Sequence, residues 1–272
     1  MSQAHRRNPQ PPWAGLRLIV FLAVLGMASS KSVAQQAFDV SKAWDYAEVY
    51  LPGNLMMRRP DSVTSDKAFP AVVFLHGCGG ITDHERRWAQ HLKSEGFVAV
   101  FPDSLRIPGR QRNCTQDPSF DGQFSNTLIA QVRPAEFAYT MNKLRDSSWI
   151  DPKNIFLMGH SEGAMTAYLI RDDSVRGVII SGFPCRQGGA LRGPLRSPLG
   201  TATLVVNWEL DTSFARADSP NLQCADMPFW SRRANASQVL LPGQGHHTGF
   251  SSLARDAVTK FLRQSMSGNK TE

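Results

Sequence analysis

The sequence predicts an α/β fold: a mostly parallel central sheet with helices packed on its faces. Three observations predict it. Short, continuous apolar runs of strand length recur along the chain, as strands buried on both faces should. Helical stretches alternate with these runs, which is the pattern of parallel crossover units. Glycine-rich turns follow directly on several of the runs, where such sheets carry their working loops.

The first 34 residues are set apart from this pattern. Arg6, Arg7 and Arg17 precede an apolar run from Leu18 to Ala28, and Ser32-Val33-Ala34 offers a small-x-small exit. A run of that length is short for a bilayer, which needs about 20 residues. A positive start, a short apolar middle and a small-residue exit predict a cleaved secretory signal over residues 1–34. The alternative is an uncleaved N-terminal anchor. Arg6-Arg7 is followed by Asn-Pro and does not read as a twin-arginine signal. The segment holds four basic residues and no acidic one, so the remaining chain carries +3 against +7 for the whole. That balance is mild, and nucleic-acid binding has no support. Residues 35–272 then form a single domain, with no stable membrane insertion once the signal is removed.

Within that domain the elements follow in order. Trp44 to Leu51 reads as an early strand, and residues 53–68 as a turn-rich connection. Ala71 to Leu75 is a buried strand leading into His76-Gly77-Cys78-Gly79-Gly80. Asp83 to Glu95 is a helix stopped by Gly96. Phe97 to Phe101 is the next strand, followed by a polar loop over 102–124. Ser125 to Arg145 is helical, with Pro134 marking a kink or break. Ile155 to Met158 is a strand running into Gly159-His160-Ser161-Glu162-Gly163, and Ala164 to Arg171 is the helix beyond. Val178 to Ile180 and Leu204 to Val206 are strands, a helix is expected near 226–234, and Val239 to Leu241 is the last strand. Pro242 to Phe250 is a loop with His246 and His247, and Ser251 to Gln264 closes the chain as a helix.

The chemistry-bearing residues cluster at the ends of these strands. Gly159-His160-Ser161-Glu162-Gly163 is a G-x-S-x-G pentapeptide between a strand and a helix, the context of a nucleophile elbow. A bland alternative is a plain glycine-rich turn. A serine hydroxyl needs a base to take its proton. His246 and His247 are the only histidines downstream, and both stay open on the residues alone, with His246 preferred. Asp211, just after the penultimate strand, is the candidate acid to hold the imidazole tautomer, with Glu209 as neighbour and rival and Asp218 and Asp226 further off. The developing oxyanion needs backbone donors. The N–H of Glu162 is one candidate and that of Cys78 the other, with Gly79 as rival. His160 is expected to pack inside the elbow, and Glu162 to favour the helix N-terminus. Trp88, Trp149, Trp208 and Trp230 read as core or rim rather than a sugar platform.

The four cysteines, Cys78, Cys114, Cys185 and Cys224, lie beyond the signal segment. An even count in an exported chain suggests two disulfides, whose pairing the sequence leaves open. None has zinc-ligand spacing, so no metal and no cofactor is expected.

With these residues on the page, the chain resembles the dienelactone-hydrolase-like branch of the α/β-hydrolase superfamily over most of residues 70–265. The resemblance rests on His76-Gly77-Cys78-Gly79-Gly80, Phe101-Pro102-Asp103-Ser104, Gly159-His160-Ser161-Glu162-Gly163, Glu209-Leu210-Asp211 with Cys224 downstream, and Pro242-Gly243 ahead of His246. It implies Ser161, Asp211 and His246 as catalytic residues, and the Pro-Gly spacing favours His246 over His247. Dienelactone hydrolases proper carry cysteine as nucleophile. Serine here shifts the expectation from dienelactone to generic ester hydrolysis. The short stretch between the strands at 178 and 204 leaves little room for a large lid, so small or exposed ester substrates are expected. Chain proximity alone suggests disulfides 78–114 and 185–224. The alternatives are a peptidase or amidase on the same fold, or an exported binding protein that has lost catalysis. The expected location is periplasmic or extracellular, and the oligomeric state is open.

Overall fold

The apolar runs assemble into one seven-stranded sheet. The computed structural model describes residues 38–110, 112, 114, 128–183, 195–214, 224 and 230–267. The strands are β1 (Glu48–Tyr50), β2 (Phe69–Leu75), β3 (Val98–Phe101), β4 (Ile150–His160), β5 (Gly177–Ser181), β6 (Ala202–Asp211) and β7 (Ala236–Gly245). Their order is β1-β3-β2-β4-β5-β6-β7. Every pair is parallel except β1 with β3. The helices are α1 (Ser41–Asp45), α2 (Asp83–Ser94), α3 (Arg133–Arg145), α4 (Glu162–Leu169) and α5 (Ser252–Ser267).

Burial on both faces explains why the central strands lack polar alternation. On one face Val73, Leu75, Val100, Leu157, Ile180 and Val205 pack with Phe137, Met141 and Leu144 of α3 and Ala164 and Ala167 of α4. On the other, Val72, Phe74, Phe101, Phe156, Met158 and Val206 pack with Trp88 and Leu92 of α2 and Val258 and Leu262 of α5. Alternate residues of each strand go to opposite cores, the period-two geometry of a strand. Helix α2 starts at a full capping box: Thr82 accepts from the His84 backbone N–H, and Glu85 reaches back to the Thr82 N–H at 2.9 Å.

Several boundaries differ from the sequence expectation, each for a local reason. Residues 41–45 are helix, not the start of a strand, and β1 begins only at Glu48. Trp44 is buried by packing on the core, and its apolar character was equally compatible with a strand. The helix expected from Ser125 is a π-helical turn at Leu128–Val132 followed by α3, with Pro134 in the first turn of α3 where its missing N–H is tolerated. The helix expected near 226–234 is, among the described residues, a 3-10 turn at Trp230–Arg232. β6 and β7 both run further than their apolar cores, to Asp211 and Gly245. Their pairing shifts register between Trp208 and Leu210, opposite Pro242 and Gly243. β7 is the sheet edge, so Pro242 breaks no ladder on its outer side. Among the described residues no helix is long and apolar enough to cross a membrane.

Candidate active site

The elbow is built by backbone crowding. β4 ends at His160 and α4 begins at Glu162, so a single residue, Ser161, makes the turn. Among the described residues it is the only non-glycine with positive φ, at φ 53° and ψ −116°. A backbone in that region costs about 1–3 kcal/mol and persists only where its surroundings impose it. Here they do. A Cβ on Gly159 would lie 2.2 Å from the Gly163 carbonyl oxygen, and one on Gly163 would lie 1.9 Å from the Leu75 carbonyl oxygen. Gly159 is required because the first turn of α4 lies directly against it, and Gly163 because α4 is pressed against the end of β2. Ser161 N–H donates to the Ser181 carbonyl at 3.0 Å, which ties the elbow to β5.

Asp211 and His246 meet at the same end of the sheet. β6 delivers Asp211 with its side chain 1% exposed, and the turn after β7 delivers His246 at 14%. The imidazole Nδ1–H donates to both carboxylate oxygens, at 2.9 and 3.0 Å. That pairing fixes the tautomer and leaves Nε2 as the free base. Asp211 also accepts from the Ser213 backbone N–H at 2.9 Å, and Thr212 N–H donates to the Gly245 carbonyl at 3.1 Å, locking the two loop ends together. Two of the rivals are placed elsewhere. His247 is turned onto His84, with ring centroids 4.9 Å apart, and Glu209 is exposed and accepts from the Gly243 N–H. Asp218 and Asp226 lie outside the described residues.

No hydrogen bond joins Ser161 to His246, and the elbow reaches the histidine loop through His160. His160, the residue before the serine, is buried with its ring 4.7 Å from that of His246. Its Nδ1 and the Ser181 Oγ are 3.3 Å apart, and Ser181 Oγ is hydrogen bonded to Thr248 Oγ1 at 2.6 Å, so one chain of contacts joins the elbow to the histidine loop. Burial, and then the neighbouring His84, His246 and His247, push the His160 imidazole well below its usual range. Burial, with His84 and His246 nearby, lowers His247 as well.

The candidate oxyanion donors sit on two loops that touch. A Cβ on Gly77 would lie 3.4 Å from the Ser161 Cβ, which places the His76-Gly77-Cys78 turn beside Ser161. Cys78 is disulfide-bonded to Cys114, with Cα atoms 5.2 Å apart, so it is no thiol nucleophile. Cys185 lies outside the described residues, and with it the second expected bridge. His76 is fully buried. Its Nδ1–H donates to the Gly77 carbonyl at 2.7 Å, and its Nε2 accepts from the Ser104 backbone N–H at 3.0 Å. Burial, with Arg133 and Arg110 nearby, holds it neutral.

Sequence reasoning missed the charged group behind this turn. The Glu162 carboxylate is not a simple helix-terminus charge. It accepts from Arg110 at 2.6 Å and from Arg133 at 2.8 Å, both arginine side chains being fully buried. Arg133 also donates to the His76 carbonyl at 2.6 Å, and Glu136 lies 3.7 Å from its Nε. Burial pushes the Glu136 carboxyl up. These partners are separated by 52 and 29 residues, and no local pattern announces them. Among the described residues no group of three or more His, Cys, Asp or Glu side chains is placed to hold a metal ion.

Comparison with known proteins agrees with this architecture. Residues 59–189, just under half of the chain and including Ser161, match the model of the dienelactone hydrolase family. Over this stretch the chain resembles the dienelactone hydrolase family. It is 29% identical over 124 residues to "Putative esterase YitV" of Bacillus subtilis (strain 168), a match covering 43% of this chain and 46% of that protein. The match therefore spans less than half the length of that curated relative. Among solved structures it is similar to Est1E from Butyrivibrio proteoclasticus, at 14% identity and TM-score 0.52, covering 81% of this chain and 93% of Est1E. It is also similar to the dienelactone hydrolase-like promiscuous phosphotriesterase P91 from metagenomic libraries, at 15% identity and TM-score 0.52, covering 74% and 88%. These structures share the α/β-hydrolase fold. Asp211 and His246 lie beyond the stretch that matches the family, so their place in this dienelactone-hydrolase-like chain rests on its own geometry.

Proposed function

We propose that the protein is a serine carboxylesterase. The likeness to a family of ester-cleaving hydrolases supports hydrolysis of ester bonds in small substrates. The observation that carries the finer reading is the buried Asp211 carboxylate holding His246 Nδ1–H through both oxygens, beside a serine held at positive φ in a strand-to-helix elbow. In this reading His246 Nε2 takes the Ser161 proton as Oγ attacks the ester carbonyl. The C–O bond to the alcohol breaks as His246 returns that proton to the leaving oxygen. Water, activated by the same imidazole, then releases the acid from the acyl-enzyme. Glu162 and Cys78 backbone N–H groups receive the oxyanion in both steps. The Ser161 to His246 hydrogen bond forms when substrate binds, as such bonds often tighten only in the complex.

We also infer that residues 1–34 direct export and are removed. The disulfide between Cys78 and Cys114 favours an oxidising compartment. The intact mass of the protein recovered from outside the cytoplasm tests this.

Turnover of p-nitrophenyl acetate by wild type and by Ser161→Ala tests the catalytic reading. Loss of turnover in the variant, with an unchanged melting curve, is expected. Equal turnover in both would end it.

A further inference from the structure

We propose that Arg133 is a positioning residue that sets the spacing between the two halves of the oxyanion hole. The inference rests on the serine-hydrolase reading above and deepens it. The two donors come from different elements. Glu162 N–H belongs to the elbow helix α4, and Cys78 N–H to the turn after β2. The distance between them governs how well both reach one oxygen, and no covalent link fixes it.

One guanidinium nitrogen spans that gap. Arg133 Nη1 donates to the His76 carbonyl at 2.6 Å, on the β2 side, and to the Glu162 carboxylate at 2.8 Å, on the elbow side. Each partner is within two residues of a donor, or carries it. The same two elements are in backbone contact at Gly163, where a Cβ would lie 2.7 Å from the His76 carbonyl oxygen. Arg133 therefore holds together surfaces that already touch. Its side chain is fully buried, and it stands at the junction where the π-helical turn Leu128–Val132 gives way to α3. Such turns are rare and often mark functional positions. Arg110 supports the arrangement from the other side. It donates to the same Glu162 oxygen, and its Nη1 donates to Ser104 Oγ at 3.3 Å. Ser104 in turn gives its N–H to His76. The Phe101-Pro102-Asp103-Ser104 segment thus acts as a brace for the His76 turn.

A guanidinium suits this task because its N–H groups are rigidly directed, whereas lysine offers a compact, freely turning ammonium. Removing one oxyanion donor outright costs about 10²–10³-fold in kcat. Misplacing a donor should cost less, roughly 10–100-fold.

The test compares wild type, Arg133→Lys and Arg133→Met. A fluorophosphonate titration counts competent sites at its end point, and kcat for p-nitrophenyl acetate is expressed per titrated site. The expected result is a near-complete end point with slower labelling, kcat per site lowered roughly 10–100-fold in the methionine variant and less in the lysine one, and KM within about threefold. A purely structural role would lower the melting temperature and the end point while leaving kcat per site unchanged, and that result overturns the proposal. If the methionine variant does not fold, Glu162→Gln probes the same tie with an acceptor retained but its charge removed. A kcat per site lowered several-fold is expected, and an unchanged one overturns the proposal. Wild type that neither labels nor turns over ester would remove the hydrolase reading itself. Wild type labelled at Ser161 beside a fully active Arg133→Met removes only the role of Arg133.

Discussion

Gly163→Ala should separate a crowded elbow from an ordinary glycine-rich turn. The added Cβ would sit 1.9 Å from the Leu75 carbonyl oxygen, 2.5 Å from its carbon and 2.7 Å from the His76 carbonyl oxygen. All three atoms are backbone, so no side chain can swing aside. A comfortable carbon–oxygen contact is above about 3 Å, and relief therefore requires α4 and the end of β2 to part by roughly 1 Å. Overpacking of this kind destabilises by about 1–3 kcal/mol. At about 2–4 °C per kcal/mol for a domain of this size, the melting temperature should fall by roughly 2–12 °C. The catalytic effect should be larger in proportion. The same separation pulls the Cys78 side of the oxyanion site from the Glu162 side, and a displacement of about 1 Å can cost about 10²-fold in rate. Thermal unfolding followed by circular dichroism, with p-nitrophenyl acetate kinetics at a temperature where the variant is folded, reads both quantities. Gly200→Ala is the control, because nothing lies within 4 Å of its Cβ position, and it should stay within about 0.5 kcal/mol of wild type. Gly163→Ala with wild-type melting temperature and kcat would refute the crowding and its link to catalysis.

Further expectations follow from the same geometry. Asp211→Asn should lower kcat by about 10³–10⁴-fold with the fold intact, because the amide no longer enforces the His246 tautomer; a loss under tenfold in steady-state kinetics would speak against its role. The Cys78→Ser/Cys114→Ser double variant opens a link between residues 36 apart and should lose about 4 kcal/mol by the chain-entropy relation; urea unfolding measures it, and an unchanged midpoint would contradict the bridge. Burial alone would raise Glu85, but its bonds to His84 and Thr82 outweigh burial and hold it down at about 2. With the folded pKa below the unfolded one, the stabilisation is present above about pH 4.5 and fades as pH falls toward 2, at up to about 1.4 kcal/mol per pH unit. The stability gap between wild type and Glu85→Gln should narrow over that window, and a constant gap would rule this out. His76 and His160, both lowered by burial, favour the folded state above the usual histidine pKa. Stability should decline as pH drops below about 6.5, by up to about 2.7 kcal/mol per unit for the two together. Denaturant midpoints that are flat from pH 7 to 5 would contradict it.

How much of this was legible depends on the range of the interaction. The central strands announced themselves because burial on both faces leaves no room for polar residues, so Ala71 to Leu75 and Ile155 to Met158 are unbroken apolar runs. The elbow was equally plain, since its glycines answer to local crowding that any sequence making this turn must satisfy. Asp211 and His246 could be chosen from their order along the chain and their strand ends, and the structure pairs the two side chains. What the sequence hid is long-range or cooperative. Nothing near Arg110 or Arg133 marks them as buried partners of Glu162, because the charges are matched only after α3 and α4 pack. The extension of β6 through Asn207 to Leu210 was hidden for a related reason. Asn207 and Glu209 lie within the strand because the register shift beside Pro242 and Gly243 keeps β6 paired with β7. Residues 41–45 were misread because an apolar Trp44 fits a strand or a short helix, and tertiary packing decides between them.

Ser161 as the activated nucleophile is best tested by covalent capture. The purified protein should be incubated with a fluorophosphonate, digested and mapped by mass spectrometry, alongside Asp211→Asn. A single adduct on Ser161, formed quickly in wild type and far more slowly in the variant, is predicted. A folded wild-type protein that stays unmodified, or an adduct on another residue, would contradict the assignment.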